Sequence, residues 1–328
     1  KVCRNRVAIP AMDAQQAESF IAWPAQLHPH IYSMPDLVVL RPEGLYCQAG
    51  DFHIDPWRPV PRAVITHGHS DHARVGMGEH HAAAPGLPIL QWRPRDQQYP
   101  AHAYGPSGDC ERQHGPSGDP FEGVPCDGFI TEATFGLPIY RWPDTSEVAR
   151  DIVAWRDECA ARGETAILYC YALGKSQRLL AELAAHTDRP AFLHGAIETG
   201  TAIYRQAGIP MLETRRVADE ARGCDFAGEL VLAPPSAAGS PWIRRFRHAQ
   251  QGFASGWMRI RGNRRRRNYD RGFVVSDHAD WPDLLRTVRE TGARRVIATH
   301  GATDALVRAL NDDGIDTGVF KTDFGGED

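Results

Sequence analysis

No stretch of this 328-residue chain approaches the eighteen or so uninterrupted apolar residues that a membrane span requires. A spanning helix is therefore not expected. A disulfide framework is not expected either. The seven cysteines (Cys3, Cys47, Cys110, Cys126, Cys159, Cys170 and Cys224) are odd in number, scattered and without a C-x-x-C pair. Such a set points to reduced thiols in a cytoplasmic protein. A basic flank followed by an apolar core is missing after Lys1, so no secretory signal is expected. A strong charge of one sign is absent too. The formal net charge of −4 excludes a chain that holds nucleic acid through its overall charge. What remains is ample core material, with 42% hydrophobic residues, and enough length for two domains or for one domain carrying an inserted one.

The densest chemistry lies in Thr66-His67-Gly68-His69-Ser70-Asp71-His72, directly after the apolar run Ala63-Val64-Ile65. That run reads as a short buried strand, which puts three imidazoles and a carboxylate on the loop at its C-terminal end. Imidazole and carboxylate are ligand types that suit zinc and its first-row neighbours. His67 and His69 can turn towards one ion, and Asp71 and His72 towards a second. A polar loop that binds nothing is the plain alternative. Four metal-competent groups this dense after a strand argue against it.

The loop resembles the H-x-H-x-D-H signature of the metallo-β-lactamase superfamily. Asp51 to Val60, Gly44-Leu45-Tyr46-Cys47 and Thr131 to Pro143 are similar to the bacterial DNA-ligase-associated exonucleases of its β-CASP branch. The resemblance runs from about residue 34 to 328. Met34 reads as a plausible start, which makes residues 1–33 an N-terminal extension with loose order expected. The resemblance implies an α/β fold, a metallo-β-lactamase αββα sandwich over 34–136 and 257–328, with an α/β β-CASP domain inserted at 137–256. Short strands before the metal loop, then alternating helix and strand from Ser146, agree with that division. Gly272-Phe273-Val274-Val275 and Arg295-Val296-Ile297-Ala298 read as strands returning to the first domain. Each leads into a histidine motif, Ser276-Asp277-His278-Ala279-Asp280 and Thr299-His300-Gly301.

Carried over position by position, the resemblance implies a role for each group. His67, His69, Asp71, His72 and His300 ligate two divalent ions, zinc or manganese, with Asp109 of Pro106-Ser107-Gly108-Asp109 bridging them. His278 is the general acid, Glu132 orients it, and Asp55 supports the metal loop from behind. A strand-end carboxylate that merely caps local backbone is the plain reading of Glu132 and Asp55. The chain also departs from the family, because a histidine motif of the form H-P-A-G-H is missing between the metal loop and Asp109. Tyr104-Gly105 runs almost straight into Ser107, and His102 and His114 lie nearby. Some core strands are expected to be lost with that motif.

Substrate class rests on a basic segment. Arg259, Arg261, Arg264, Arg265, Arg266, Arg267 and Arg271 crowd one stretch, preceded by Arg244, Arg245 and Arg247 and interleaved with Trp242, Phe246, Trp257 and Tyr269. Cations with aromatics suit a phosphate backbone with stacked single-stranded bases, against the plainer reading of a solvated loop. Ala172-Leu173-Gly174-Lys175-Ser176 ends like a phosphate-binding loop, but Tyr169 stands where the first glycine is needed. No ATP site is expected. Lys175 and Ser176 open a helix whose N-terminus suits substrate phosphate. The expectation is a metal-dependent exonuclease acting on single-stranded DNA or duplex ends in repair. The resemblance implies an ATP-dependent DNA ligase and a helicase as partners. The alternatives are an RNA-processing nuclease of the same fold and a catalytically impaired nucleic-acid-binding homologue.

Overall fold

The computed structural model describes residues 37–69, 71–92, 101–102, 125–260, 262 and 269–322, with backbone alone at 85, 101 and 102. The fold is mixed α/β. Two compact units emerge, one built from described residues up to 137 and from 283 onwards, the other from Pro138–Pro282. Among the described residues no helix is long and apolar enough to cross a membrane.

The first unit holds two sheets. Strands β1 (Val38–Arg41), β2 (Gly44–Cys47), β3 (Phe52–Ile54), β4 (Arg62–Val64), β5 (Glu79–Ala83) and β6 (Ala101–His102) lie side by side in chain order. The first two pairings are antiparallel and the rest parallel. The second sheet is parallel, with β14 (Arg295–Gly301) between β15 (Asp316–Phe320) and β7 (Gly128–Ala133). Alternation along each strand builds the layers, because successive side chains point to opposite faces. Val38, Leu45, Phe52, Ile54 and Val64 form one buried cluster, and Ile130 of β7 and Phe320 of β15 pack on it. Sheet therefore faces sheet. On the other face of the first sheet, Ala63, Ile65 and Ala82 cluster with Leu90 of the short helix α1 (Leu87–Trp92). The helix Thr303–Asp312 lies against β14 and β15 and buries Leu306 and Leu310.

The second unit is one parallel six-stranded sheet. Its order is β10 (Thr214–Arg216), β9 (Ala191–Leu193), β11 (Leu230–Ala233), β8 (Thr165–Tyr169), β12 (Ala249–Ala254) and β13 (Arg271–Phe273). The central strands β8 and β11 are buried along their whole length, as expected where both faces of a parallel sheet are covered. Ala166, Leu168, Leu230 and Leu232 face helices α2 (Thr145–Ala161), α3 (Lys175–Leu183) and α4 (Gly195–Gln206), against Ile152, Trp155, Leu179 and Ile197. The alternate residues Ile167, Tyr169 and Val231 face irregular chain carrying Phe226, Phe246 and Met258.

One strand lies elsewhere than its sequence suggests. Gly272-Phe273-Val274-Val275 was expected to rejoin the first domain, but β13 pairs with β12 and extends the second unit's sheet. Phe273 packs on Trp155 of α2, with ring centroids 5.3 Å apart. An apolar run of four residues identifies a strand without saying which sheet it completes. The aromatics among the arginines differ in the same way. Phe246 is buried, and Trp242, Trp257 and Tyr269 pack against the core cluster rather than standing free for bases. Phe253 and Tyr269 stack with centroids 4.9 Å apart.

Candidate metal centre

Strands β3 and β4 run parallel, and the chain leaving each one builds the centre. Asp55 follows β3 with φ of +42°, a left-handed conformation that non-glycine residues seldom adopt. Its backbone N–H donates to the carbonyl of Val64, 2.9 Å away, which fixes the turn beside the end of β4. The carboxylate then reaches the first residue of the loop. Asp55 Oδ1 accepts the Thr66 backbone N–H at 2.7 Å, and Oδ2 accepts the Thr66 hydroxyl. Oδ2 also lies 2.9 Å from His72 Nδ1. The loop turns back on itself through backbone bonds from His72 and Ala73 to the carbonyl of His69. Gly68 is needed here, since a Cβ would come within 2.5 Å of the Ile89 side chain on α1.

The imidazoles converge. His67 lies 4.0 Å from His72 and 4.8 Å from His69 between ring centroids. Asp55, His67 and His72 are all buried, and each offers a ligand atom within 4.8 Å of the others. On the far edge of His72, Nε2 meets Glu132 Oε1 at 3.2 Å and Asp71 Oδ2 at 3.5 Å. Burial disfavours a charge on this ring, but Asp55 and Glu132 outweigh it and hold the His72 pKa well above the ordinary 6.5. A cation is what this arrangement of carboxylates around imidazole accommodates. A proton on Nδ1 bonded to Asp55 leaves Nε2 as the ligand atom, the carboxylate–histidine pairing usual at metal sites. The donor set therefore fits a divalent metal of the zinc type.

Glu132 sits near the end of β7, and His300 near the end of the neighbouring β14. The ladder pairs Thr299 with Glu132 and Gly301 with Ala133, so His300 is the extra residue of a bulge, at φ of +55°. Bulges and left-handed residues recur beside functional sites, where they re-aim a side chain. His278 lies in the second unit, half-buried, with its backbone N–H bonded to Ser276 Oγ at 3.1 Å. Asp109, Arg261 and Arg264 to Arg267 lie outside the described residues, as does His114. Arg259 is exposed, and its Nε donates to the Ile139 carbonyl at 3.2 Å.

One expectation does not survive in the form the sequence suggests. Lys175 and Ser176 are 1% and 0% exposed, so neither presents itself to a phosphate. Lys175 Nζ lies 3.3 Å from Asp277 Oδ1, and Ser176 Oγ donates to the Tyr171 carbonyl at 2.6 Å. Thr66, given no role in the sequence reading, proves central, since its hydroxyl also lies 3.0 Å from His67 Nδ1. A threonine at the strand end just before the first histidine was the available signal.

No protein-family model matches the chain. A curated protein named "Probable DNA ligase", from Opitutus terrae, is 27% identical over 318 residues. The match takes in 85% of this chain and 31% of the relative, so the chain spans less than a third of that relative's length. A solved structure of a protein of unknown function from Enterococcus faecalis V583 covers 80% of this chain and 79% of its own. It does so at 10% identity and a TM-score of 0.44, too low to carry an argument.

Proposed function

We propose that this protein is a metal-dependent nuclease acting on DNA, an exonuclease that works in repair beside a partner ligase. The observation that carries the reading is the buried His67 and His72 pair at a strand end, with Asp55 behind His72 and Glu132 in front of it. The DNA side draws on the relative named a probable DNA ligase and on the arginine segment. The fold proposed is the metallo-β-lactamase sandwich, with the second unit as its inserted β-CASP domain. Two facing sheets with a helix against each suit it.

In this reading His67, His69, Asp71, His72 and His300 would hold two divalent ions, with Asp109 as a further ligand. When bound, such a pair supplies Lewis acidity and an acidified water for attack on phosphorus. The chain's own groups do the rest. Asp55 fixes the His72 tautomer through Nδ1 and pins the loop through both polar hydrogens of Thr66. Glu132 and Asp71 stabilise a proton at His72 Nε2, the atom that would have to be deprotonated to ligate a cation. His278 donates a proton to the departing sugar oxygen.

Labelled single-stranded DNA and RNA, incubated with zinc or manganese, test the proposal. Metal-dependent release of nucleotides from DNA, abolished in His67→Ala, is the expected result. Faster degradation of RNA would move the assignment to RNA processing. Binding of both with degradation of neither would leave a nucleic-acid-binding protein without catalysis.

A further inference from the structure

The segment carrying His278 is held at four of its five residues by other parts of the second unit. Arg178 Nη1 donates to the Ser276 carbonyl at 3.0 Å, and Arg178 Nη2 to Thr145 Oγ1 at 2.9 Å. Lys175 Nζ pairs with Asp277 Oδ1 at 3.3 Å and lies 4.4 Å from the centroid of the Tyr171 ring. The Trp142 indole N–H donates to the His278 carbonyl at 2.9 Å, and the Trp142 backbone N–H to Asp280 Oδ2 at 2.8 Å. Lys175, Arg178, Asp277 and Asp280 are all more than nine-tenths buried. A buried cation is costly unless it is paired or hydrogen-bonded, and here Lys175 meets Asp277 while Arg178 donates to the Ser276 carbonyl and to Thr145.

Two sequence features gain a use from this. The phosphate-loop look-alike Leu173-Gly174-Lys175-Ser176 aims its lysine at a carboxylate of the protein instead of a phosphate. Gly174, with φ of +81°, makes the turn that brings Lys175 inward. Arg141-Trp142-Pro143 supplies the other clamp. We propose that Trp142 and Lys175 are positioning residues for His278, fixing the backbone on which its imidazole is presented. The proposal rests on the reading of His278 as the general acid. Its structural half, the clamping of residues 276–280, can be measured without any activity.

Trp142→Phe removes the indole N–H and keeps an aromatic ring. The double variant Lys175→Met with Asp277→Asn removes both buried charges together, so neither is stranded. In each, amide hydrogen exchange across residues 276–280 is expected to rise roughly fivefold, the effect of one lost hydrogen bond. On labelled DNA, kcat is expected to fall about tenfold or more with KM and metal content unmoved, as displacement of a proton donor requires. Its pH profile is expected to change on the limb set by the acid, while His278→Asn removes that limb. Wild-type exchange in both variants would overturn the proposal whatever the activity. So would a raised KM with kcat unchanged. If His278→Asn keeps full activity, the acid assignment falls, and the exchange rates alone decide whether the clamp exists.

Discussion

At the scale of single residues, Asp55 is the group on which the centre turns. Both its oxygens are engaged, by the Thr66 backbone and hydroxyl and by His72. Asp55→Asn keeps the shape but loses the charge that steadies the His72 ring. Removing such a supporting carboxylate weakens metal affinity about 10–100-fold. Competition of the bound ion against a graded chelator measures this, and an unchanged affinity would show that Asp55 only caps backbone. His72 carries a pH signature of its own. Its folded pKa lies above the unfolded value of about 6.5, so its stabilising contribution is full below that pH. The contribution is lost as pH rises through the higher folded pKa. Metal-free protein should therefore show a falling urea midpoint from about pH 6.5 upwards, and His72→Gln should flatten that slope. Metal affinity should rise over the same range, because the ion must expel the proton. Isothermal titration in buffers of different ionisation enthalpy counts the proton released. At this scale much was legible in the sequence. The H-x-H-x-D-H spacing marked the loop, whereas Asp55 and Glu132 were named only through the family resemblance, since a carboxylate at a strand end reads equally as a backbone cap. The buried destination of Lys175 was not legible, because its partner Asp277 lies a hundred residues further along the chain and meets it only through the fold.

At the scale of elements, the strand ends do the positioning, and the bulge of β14 is the most exposed to test. Gly301, at φ of +82°, sits where an added Cβ would come within 2.4 Å of the Ala133 carbonyl. Gly301→Ala should cost about 1–3 kcal/mol in urea unfolding, from backbone strain and the clash together. It should also disturb the neighbouring His300. An unchanged midpoint would mean that the β7–β14 join is looser than the ladder implies. Short strands before the metal loop, and alternating helix and strand from α2 onwards, follow the pattern of the sequence. Alternation could not say that β13 extends the second sheet, which depends on Phe273 finding Trp155. Nor could it separate aromatics that stack on bases from aromatics that fill a core. Trp242, Phe246 and Tyr269 cover the face of the second sheet opposite helices α2, α3 and α4, together with short 3-10 turns. An arginine-flanked aromatic stripe reads alike in both cases.

At the scale of the whole molecule, net charge and local charge point in opposite directions. A chain of net charge −4 attracts nucleic acid only through a local patch, and the arginines from 259 to 271 are the densest one. DNA affinity should then fall steeply with salt. Arg259→Ala should lower the slope of log affinity against log salt by about 1 if Arg259 contacts a phosphate. An unaltered slope would assign Arg259 to local structure, consistent with its bond to Ile139. The switch of pattern near Ser146 marks the alternating helices and strands of the second unit, whereas the sheet that β13 joins was not legible, since it is set by strand pairing. The central claim is that His67 and His72 hold a metal on which DNA cleavage depends. Its most direct test follows release of nucleotides from end-labelled single-stranded DNA by metal-stripped protein during zinc or manganese titration, with His67→Ala and His72→Ala alongside. Activity that appears with bound metal in the parent and in neither variant is predicted. Cleavage that persists in the stripped protein or in both variants would contradict the claim.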